Sequence, residues 1–303
     1  MNYYELKPED NNFSDVVIDV THRCNMNCKN CYIPNREIPD LDMDKTIDAI
    51  SRFPKRVMIR IIGAEPTMRS DLPEFITKIR NIGHRATILT NGLRLANNNY
   101  CKTLKSSKLR HVYLSLNGVD NDDWYEKIDE LRCAKKKVQA LKNLVNNKFL
   151  IDTGTIIVKG INDEAISKLL YLYKKIGITN VLCRIKNIGQ LGRNMDVDNY
   201  SMKELINLLS NQANISIDRI NEWQQKPIYQ NKIIEEDSFY VPLTEPKPGY
   251  LFHRSGIWFK IANWHSDNPE GIPFPNQTRR GRLTENFTVA PFFEHVKKNE
   301  FQY

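Results

Sequence analysis

From residue 16 to residue 212 the chain repeats one unit: a short β-rich run, a turn, then a longer helical pattern. Residues 16–20, 57–62, 86–89, 112–116, 151–158 and 181–185 read as strands. Residues 44–53, 72–82, 122–147, 162–176 and 202–212 carry helical periodicity, and Gly83 and Gly177 stop two of these segments in the manner of C-terminal caps. Strands that each return through a helix must run parallel, and right-handed crossovers then curl the sheet toward a barrel. Eight such units would close a barrel of roughly 250 residues. Six units predict an α/β fold, a partial (βα)6 TIM-like barrel with a C-terminal α+β extension. The expected boundaries are an N-terminal extension over 1–15, the barrel over 16–212 and a substrate-binding extension over 213–303. In the extension, 250–252 and 257–261 read as strands of a small cap or sheet extension, with Gly249, Gly256, Gly271 and Gly281 as turns.

Length and composition limit the rest. A chain of 303 residues with 41% apolar and 26% charged side chains is an ordinary globular protein with one large core. No apolar run approaches the roughly 20 residues of a membrane helix. The first twelve residues are polar and acidic, so no cleaved secretory signal is expected, and the expected compartment is the cytoplasm. Of the net charge of +8, most lies in residues 102–148, which hold eleven Lys or Arg against six Asp or Glu. That stretch, with Lys135-Lys136-Lys137, reads as a solvated face of the outer helices. Nucleic acid is a possible partner but not the favoured one.

Three of the six cysteines fall within eight residues, Cys24, Cys28 and Cys31, spaced Cys-x3-Cys-x2-Cys directly after the first strand. Three is an odd number and the compartment is reducing, which disfavours disulfides. A structural zinc ion wants four ligands, and His22 is the one further candidate nearby. An iron–sulfur cubane on three cysteines leaves one iron free to bind something else, which makes a reaction site rather than a staple. Cys101, Cys133 and Cys183 are scattered singly and read as small buried hydrophobes.

With Tyr32 after the third cysteine, this segment resembles the radical S-adenosylmethionine (radical SAM) superfamily, single-cluster type without an auxiliary-cluster domain. Further motifs at strand ends carry the same resemblance over about residues 14–195. Gly63-Ala64-Glu65-Pro66 is similar to the family's Gly-Gly-Glu-Pro segment, with Ala64 where a second glycine is common. Asn91 lies in Thr90-Asn91-Gly92 after the third strand, and Ser115 and Asn117 end the fourth. Arg184 opens a glycine-rich stretch through Arg193. The resemblance implies a 4Fe-4S cluster on Cys24, Cys28 and Cys31. It further implies S-adenosyl-L-methionine held by Tyr32, Gly63, Glu65, Asn91, Ser115, Asn117 and Arg184, with Glu65 on the amine, Ser115 and Asn117 on the ribose and Arg184 on the carboxylate. The implied activity is an oxidoreductase-type one, reductive cleavage of S-adenosylmethionine to a 5′-deoxyadenosyl radical that takes hydrogen from a substrate in a biosynthetic or modification reaction.

The implied partners are a small-molecule, nucleotide or peptide substrate and an electron donor such as flavodoxin or ferredoxin. Three other functions stay open on the sequence: a glycyl-radical-enzyme activase, a nucleic-acid- or peptide-modifying radical SAM enzyme, and more distantly a zinc or iron–sulfur interaction module. The extension contributes Arg279-Arg280 and Arg282, either an anion-binding cluster or a basic loop.

Overall fold

The computed structural model describes residues 3–29, 31, 33, 35–178, 181–187, 200–225, 250–252, 257–262, 280–292 and 295. In chain order the elements are β1 (Asp15–Asp19), α1 (Met43–Ser51), β2 (Met58–Ile62), α2 (Leu72–Asn81), β3 (Arg85–Thr90), α3 (Asn98–Ser106) and β4 (His111–Ser115). Then come α4 (Asp122–Asp129), α5 (Ala134–Asn146), β5 (Leu150–Ile157), α6 (Ala165–Ile176), β6 (Val181–Asn187), α7 (Met202–Ala213) and α8 (Ile217–Gln225). The last strands are β7 (Tyr250–Phe252), β8 (Ile257–Ala262), β9 (Arg280–Leu283) and β10 (Val289–Pro291).

All ten strands join one sheet in the order β10-β9-β1-β2-β3-β4-β5-β6-β8-β7. β1 to β6 run parallel in sequence order, as six βα units require. The sheet is curled but not closed, so the partial TIM-like barrel is the observed architecture. The C-terminal strands flank both edges of that barrel. β8 pairs parallel with β6, β9 pairs parallel with β1, and β7 and β10 fold back antiparallel on β8 and β9. The segments expected as a cap or sheet extension are thus sheet extensions.

Strand residues alternate between two environments, as a period of two dictates. Val16, Ile18, Ile59, Ile61, Val112 and Leu114 face the helices and belong to the main core. Their neighbours Val17, Ile62 and Leu89 line the inside with Phe292. Along this inner face lie Arg60, His111, Tyr113, Asp152, Arg184 and Lys260, so the barrel is polar within.

Two helical expectations need correction. The stretch 122–147 is two helices, not one: Glu130 takes the left-handed conformation (φ 54°) and ends α4. The Asp122 carboxylate caps the restart by accepting from Ala134 N at 2.7 Å. The helix α3 between β3 and β4 is absent from the sequence reading. Its low apolar content hides it, but Asn97 caps it by accepting from the amides of Asn99 and Tyr100. Among the described residues no helix is long and apolar enough to cross a membrane.

Candidate active site

The cysteines sit on the loop that leaves β1 at Val20 and returns to α1 at Leu41. The base of this loop is clamped. Leu41 N donates to Val20 O at 3.1 Å, and buried Arg69 donates through Nη1 to Val20 O (2.9 Å) and Leu41 O (2.6 Å). Arg69 is itself oriented by a bidentate pair with Asp71, at 2.8 and 2.6 Å. A second support comes from the turn after β2. Ala64 N and Glu65 N donate to Thr21 O (2.8 Å) and Arg23 O (3.0 Å). Gly63, at φ +137°, must be glycine, because a Cβ there would stand 2.2 Å from Thr21 O. Ala64 has no positive φ, so alanine costs nothing at the position where the family pattern commonly has glycine.

Cys24, Cys28 and Cys31 are half-buried free thiols. Burial pushes Cys28 well up, with Asp129 adding to the rise and Cys24 and Cys31 acting in the same direction. Burial also pushes Cys24 up, and Cys31 acts with it. The three thiols therefore share one electrostatic neighbourhood. Among the described residues, however, no three His, Cys, Asp or Glu side chains converge at the spacing of a single ion. A cubane, which takes each cysteine on a different iron, suits a wider triangle than mononuclear zinc does. Donors already aim at the sulfurs: Asn91 Nδ2 to Cys24 Sγ at 3.8 Å, Met26 N to Cys24 Sγ at 3.4 Å and Arg36 Nη2 to Cys31 Sγ at 3.1 Å. Such donors favour thiolates, the form that ligates metal. The donor set fits an iron–sulfur cluster.

The expected cofactor contacts divide by environment. Asn91 lies beside the cysteines, bonded to Asn25 Oδ1 at 2.8 Å. Ser115 is half-buried at the end of β4. Glu65, expected on the cofactor amine, is fully buried. Oε1 accepts from Thr67 N (3.0 Å), Thr67 Oγ1 (2.6 Å) and Thr90 Oγ1 (2.7 Å), and Oε2 accepts from Asn91 N (2.6 Å). It ties the end of β2 to the end of β3. Asn117 is also buried: Nδ2 donates to Asp129 Oδ1 at 2.9 Å, and Oδ1 accepts from Ile156 N at 3.1 Å. Tyr32, like the glycine-rich stretch after residue 187 and Arg279, lies outside the described residues.

Behind Cys28 is a polar cluster that the sequence reading missed. Burial pushes the Asp129 carboxyl up, opposed by Lys137, by Asn117 and by a hydrogen bond from the Cys28 thiol. Lys137 is fully buried, donates to Ser115 O at 3.2 Å and stands 5.3 Å from the Tyr125 ring centroid. This corrects the expectation for the lysine run: Lys135 and Lys136 are exposed, but the third lysine points inward.

Arg184, expected on the cofactor carboxylate, lies in an inner-face network. Its Nη2 meets Asp152 Oδ2 at 2.5 Å, and His111 Nε2 meets Asp152 Oδ1 at 3.0 Å. Burial would raise the Asp152 carboxyl, but His111 and Arg184 outweigh it and hold it well below the usual carboxylate range. Arg280 and Arg282 are not a basic loop. They belong to β9, where Arg282 is 1% exposed and ion-paired with Asp19 at 2.5 Å. The missed signal was parity: Asp152, Arg184, Lys186 and Lys260 all fall on the inward set of strands whose other set is apolar.

This site, a clamped Cys-x3-Cys-x2-Cys loop at the carboxyl ends of a curled parallel sheet, defines a class. The family model of the radical SAM superfamily matches residues 18–172, half of the chain, and the chain belongs to that superfamily. It is therefore an enzyme working with a 4Fe-4S cluster and S-adenosylmethionine, which sets aside the interaction-module alternative. Particular relatives follow. The chain is 31% identical over 168 residues to 7,8-dihydro-6-hydroxymethylpterin dimethyltransferase of Methanocaldococcus jannaschii, covering 50% of this chain and 32% of that one. It is 24% identical over 202 residues to GTP 3′,8-cyclase of Aquifex aeolicus, covering 63% and 62%. Among solved structures, Streptococcus suis SuiB bound to S-adenosylmethionine superposes with a TM-score of 0.56 at 18% identity, over 65% of this chain and 46% of that one. The chain thus spans less than two thirds of the length of each of these relatives.

Proposed function

We propose that Cys24, Cys28 and Cys31 hold the 4Fe-4S cluster and that S-adenosylmethionine binds beside them, near Asn91 and Ser115. The reaction would be hydrogen abstraction from a small-molecule substrate in a biosynthetic or modification pathway. The observation that carries this reading is the Cys-x3-Cys-x2-Cys loop clamped at its base by Arg69 and Gly63, with Asn91 and Arg36 donating toward the Cys24 and Cys31 sulfurs. When bound, the cofactor pair supplies a 5′-deoxyadenosyl radical. The chain's residues do the positioning. Arg69 and Gly63 fix the loop, Arg36 and Asn91 donate toward sulfurs, and Glu65 holds Asn91 in place from below. Asp129 and Lys137 set the field behind Cys28. Residues 16–212 would form the catalytic barrel and 213–303 would contribute substrate contacts. A flavodoxin or ferredoxin would deliver the electron.

Support for a small-molecule substrate comes from the pterin dimethyltransferase and the GTP cyclase, both named for reactions on heterocyclic compounds. The test is anaerobic reconstitution, iron and sulfide analysis, and 5′-deoxyadenosine release with dithionite. The wild-type chain is expected to release it, and a variant with all three cysteines changed to alanine is not. Release by that variant would overturn the assignment.

A further inference from the structure

The end of α4 meets the cysteine loop residue against residue. Asn27 Nδ2 donates to Glu130 Oε2 at 3.0 Å, and Lys29 N donates to Ile128 O at 3.2 Å. Cys28 lies between these two bonds on the loop and Asp129 lies between them at the end of α4, so the two residues face each other. Cys28 packs there against the apolar group of Met26, Tyr125, Cys133 and Ala134.

Asp129 is 1% exposed, and its Oδ1 accepts from Asn117 Nδ2 at 2.9 Å, just past the end of β4. Lys137 of α5 reaches the same strand end. It is fully buried, its Nζ donates to Ser115 O at 3.2 Å, and it stands 5.3 Å from the centroid of the Tyr125 ring. Tyr125 lies one helical turn before Asp129, on the same face of α4. One corner of the fold thus buries a carboxylate on the loop side and an ammonium on the strand side. Replacing such a buried pair by apolar side chains is often neutral or favourable, so stability alone does not account for it.

The three sulfurs are also served unequally. Asn91 and Met26 donate to Cys24 Sγ, and Arg36 donates to Cys31 Sγ. Cys28 has a carboxylate opposite it instead. Donors at a ligating sulfur favour the reduced, more negative state of a cluster, and a nearby negative charge opposes it.

We propose that Asp129 is the positioning residue of the Cys28 corner and tunes the cluster, its carboxylate holding the reduction potential low and Lys137 offsetting part of that effect. The proposal rests on the reading above that Cys28 ligates the cluster. Reduction adds negative charge beside Asp129, and with little water in the corner to screen it the repulsion is felt at full strength. A lower potential makes the reduced cluster a stronger electron donor, as reductive cleavage of a sulfonium requires.

The test is anaerobic reconstitution followed by potentiometric titration of the cluster, read by visible absorption and by electron paramagnetic resonance. Asp129→Asn keeps the shape and removes the charge, and its midpoint potential should rise. Lys137→Met removes the opposite charge, and its midpoint should fall. The opposite signs separate a charge effect from a packing effect, because a loosened loop would move both variants the same way and lower their iron content. Glu130→Gln removes the neighbouring exposed carboxylate and should leave the potential where it is, since solvent screens that group. Iron and sulfide content in Asp129→Asn should match wild type. Each of the two inner variants has its direction fixed in advance, so either decides the matter if the other fails to fold. A midpoint unmoved or lowered by Asp129→Asn, a midpoint raised by Lys137→Met, or an equal shift in Glu130→Gln would each overturn the proposal. Wild-type protein that takes up no iron would overturn the cysteine assignment and this proposal with it. A cluster that forms but ignores Asp129 would overturn this proposal alone.

Discussion

Lys186 carries a pH signature of its own. Burial, reinforced by Arg184, Arg280 and Lys260, lowers its ammonium from 10.5 to about 7. Between those values the unfolded chain binds a proton that the folded chain lacks, so stability rises with pH across this window. The cost of the charged form is full below about pH 7 and is relieved as pH climbs toward 10. Urea midpoints at pH 7 and 9.5 should therefore rise in the wild-type protein, and rise less in Lys186→Gln. An equal rise in both would remove Lys186 as its source. At Gly154 the expectation is steric: Gly154→Ala drives a methyl into the Tyr113 phenol and should cost about 1–3 kcal/mol by overpacking. Equilibrium denaturation measures it.

At the level of elements, the cysteine loop depends on Arg69 more than on its own sequence. Arg69→Met removes the donors to Val20 O and Leu41 O together with the pair to Asp71. It should lower stability by about 2 kcal/mol and reduce the iron content recovered after reconstitution. Full iron content in that variant would show that the loop holds without its clamp. Much of this layer was legible in the sequence. The six strands, their parallel order and the cysteine spacing follow from apolar periodicity and local motif. The bonds that Glu65 accepts from Thr67, Thr90 and Asn91 did not, because they depend on the approach of β3, which local pattern does not encode. Lys137 was misread for the same reason: its neighbours Lys135 and Lys136 are solvated, and the turn at Glu130 that rotates α5 is a long-range outcome.

For the whole molecule, Arg282 joins the end of the chain to its beginning. Its pair with Asp19 is buried on both sides, at 1% and 9% exposure. Arg282→Met leaves Asp19 without its guanidinium and should cost about 3 kcal/mol, while adding Asp19→Asn should restore part of it. Urea denaturation of the three variants checks both statements. Strand parity marked these inner charges in principle. Which of them meet across the barrel depends on β9 returning to β1, a pairing between segments far apart in sequence that local patterns do not encode.

That pairing has a consequence for synthesis. During translation β1 to β6 emerge with both outer strands, β1 and β6, still lacking the neighbours that β8 and β9 later supply. At 5–20 residues per second, the interval between the end of β6 and the arrival of β10 is roughly 5–20 s. Through that interval the nascent protein presents two unpaired strand edges, the kind of surface on which chains stick to one another. A ribosome-bound chain halted after residue 212 should therefore be captured by holdase chaperones, and release should follow once residue 291 has cleared the exit tunnel.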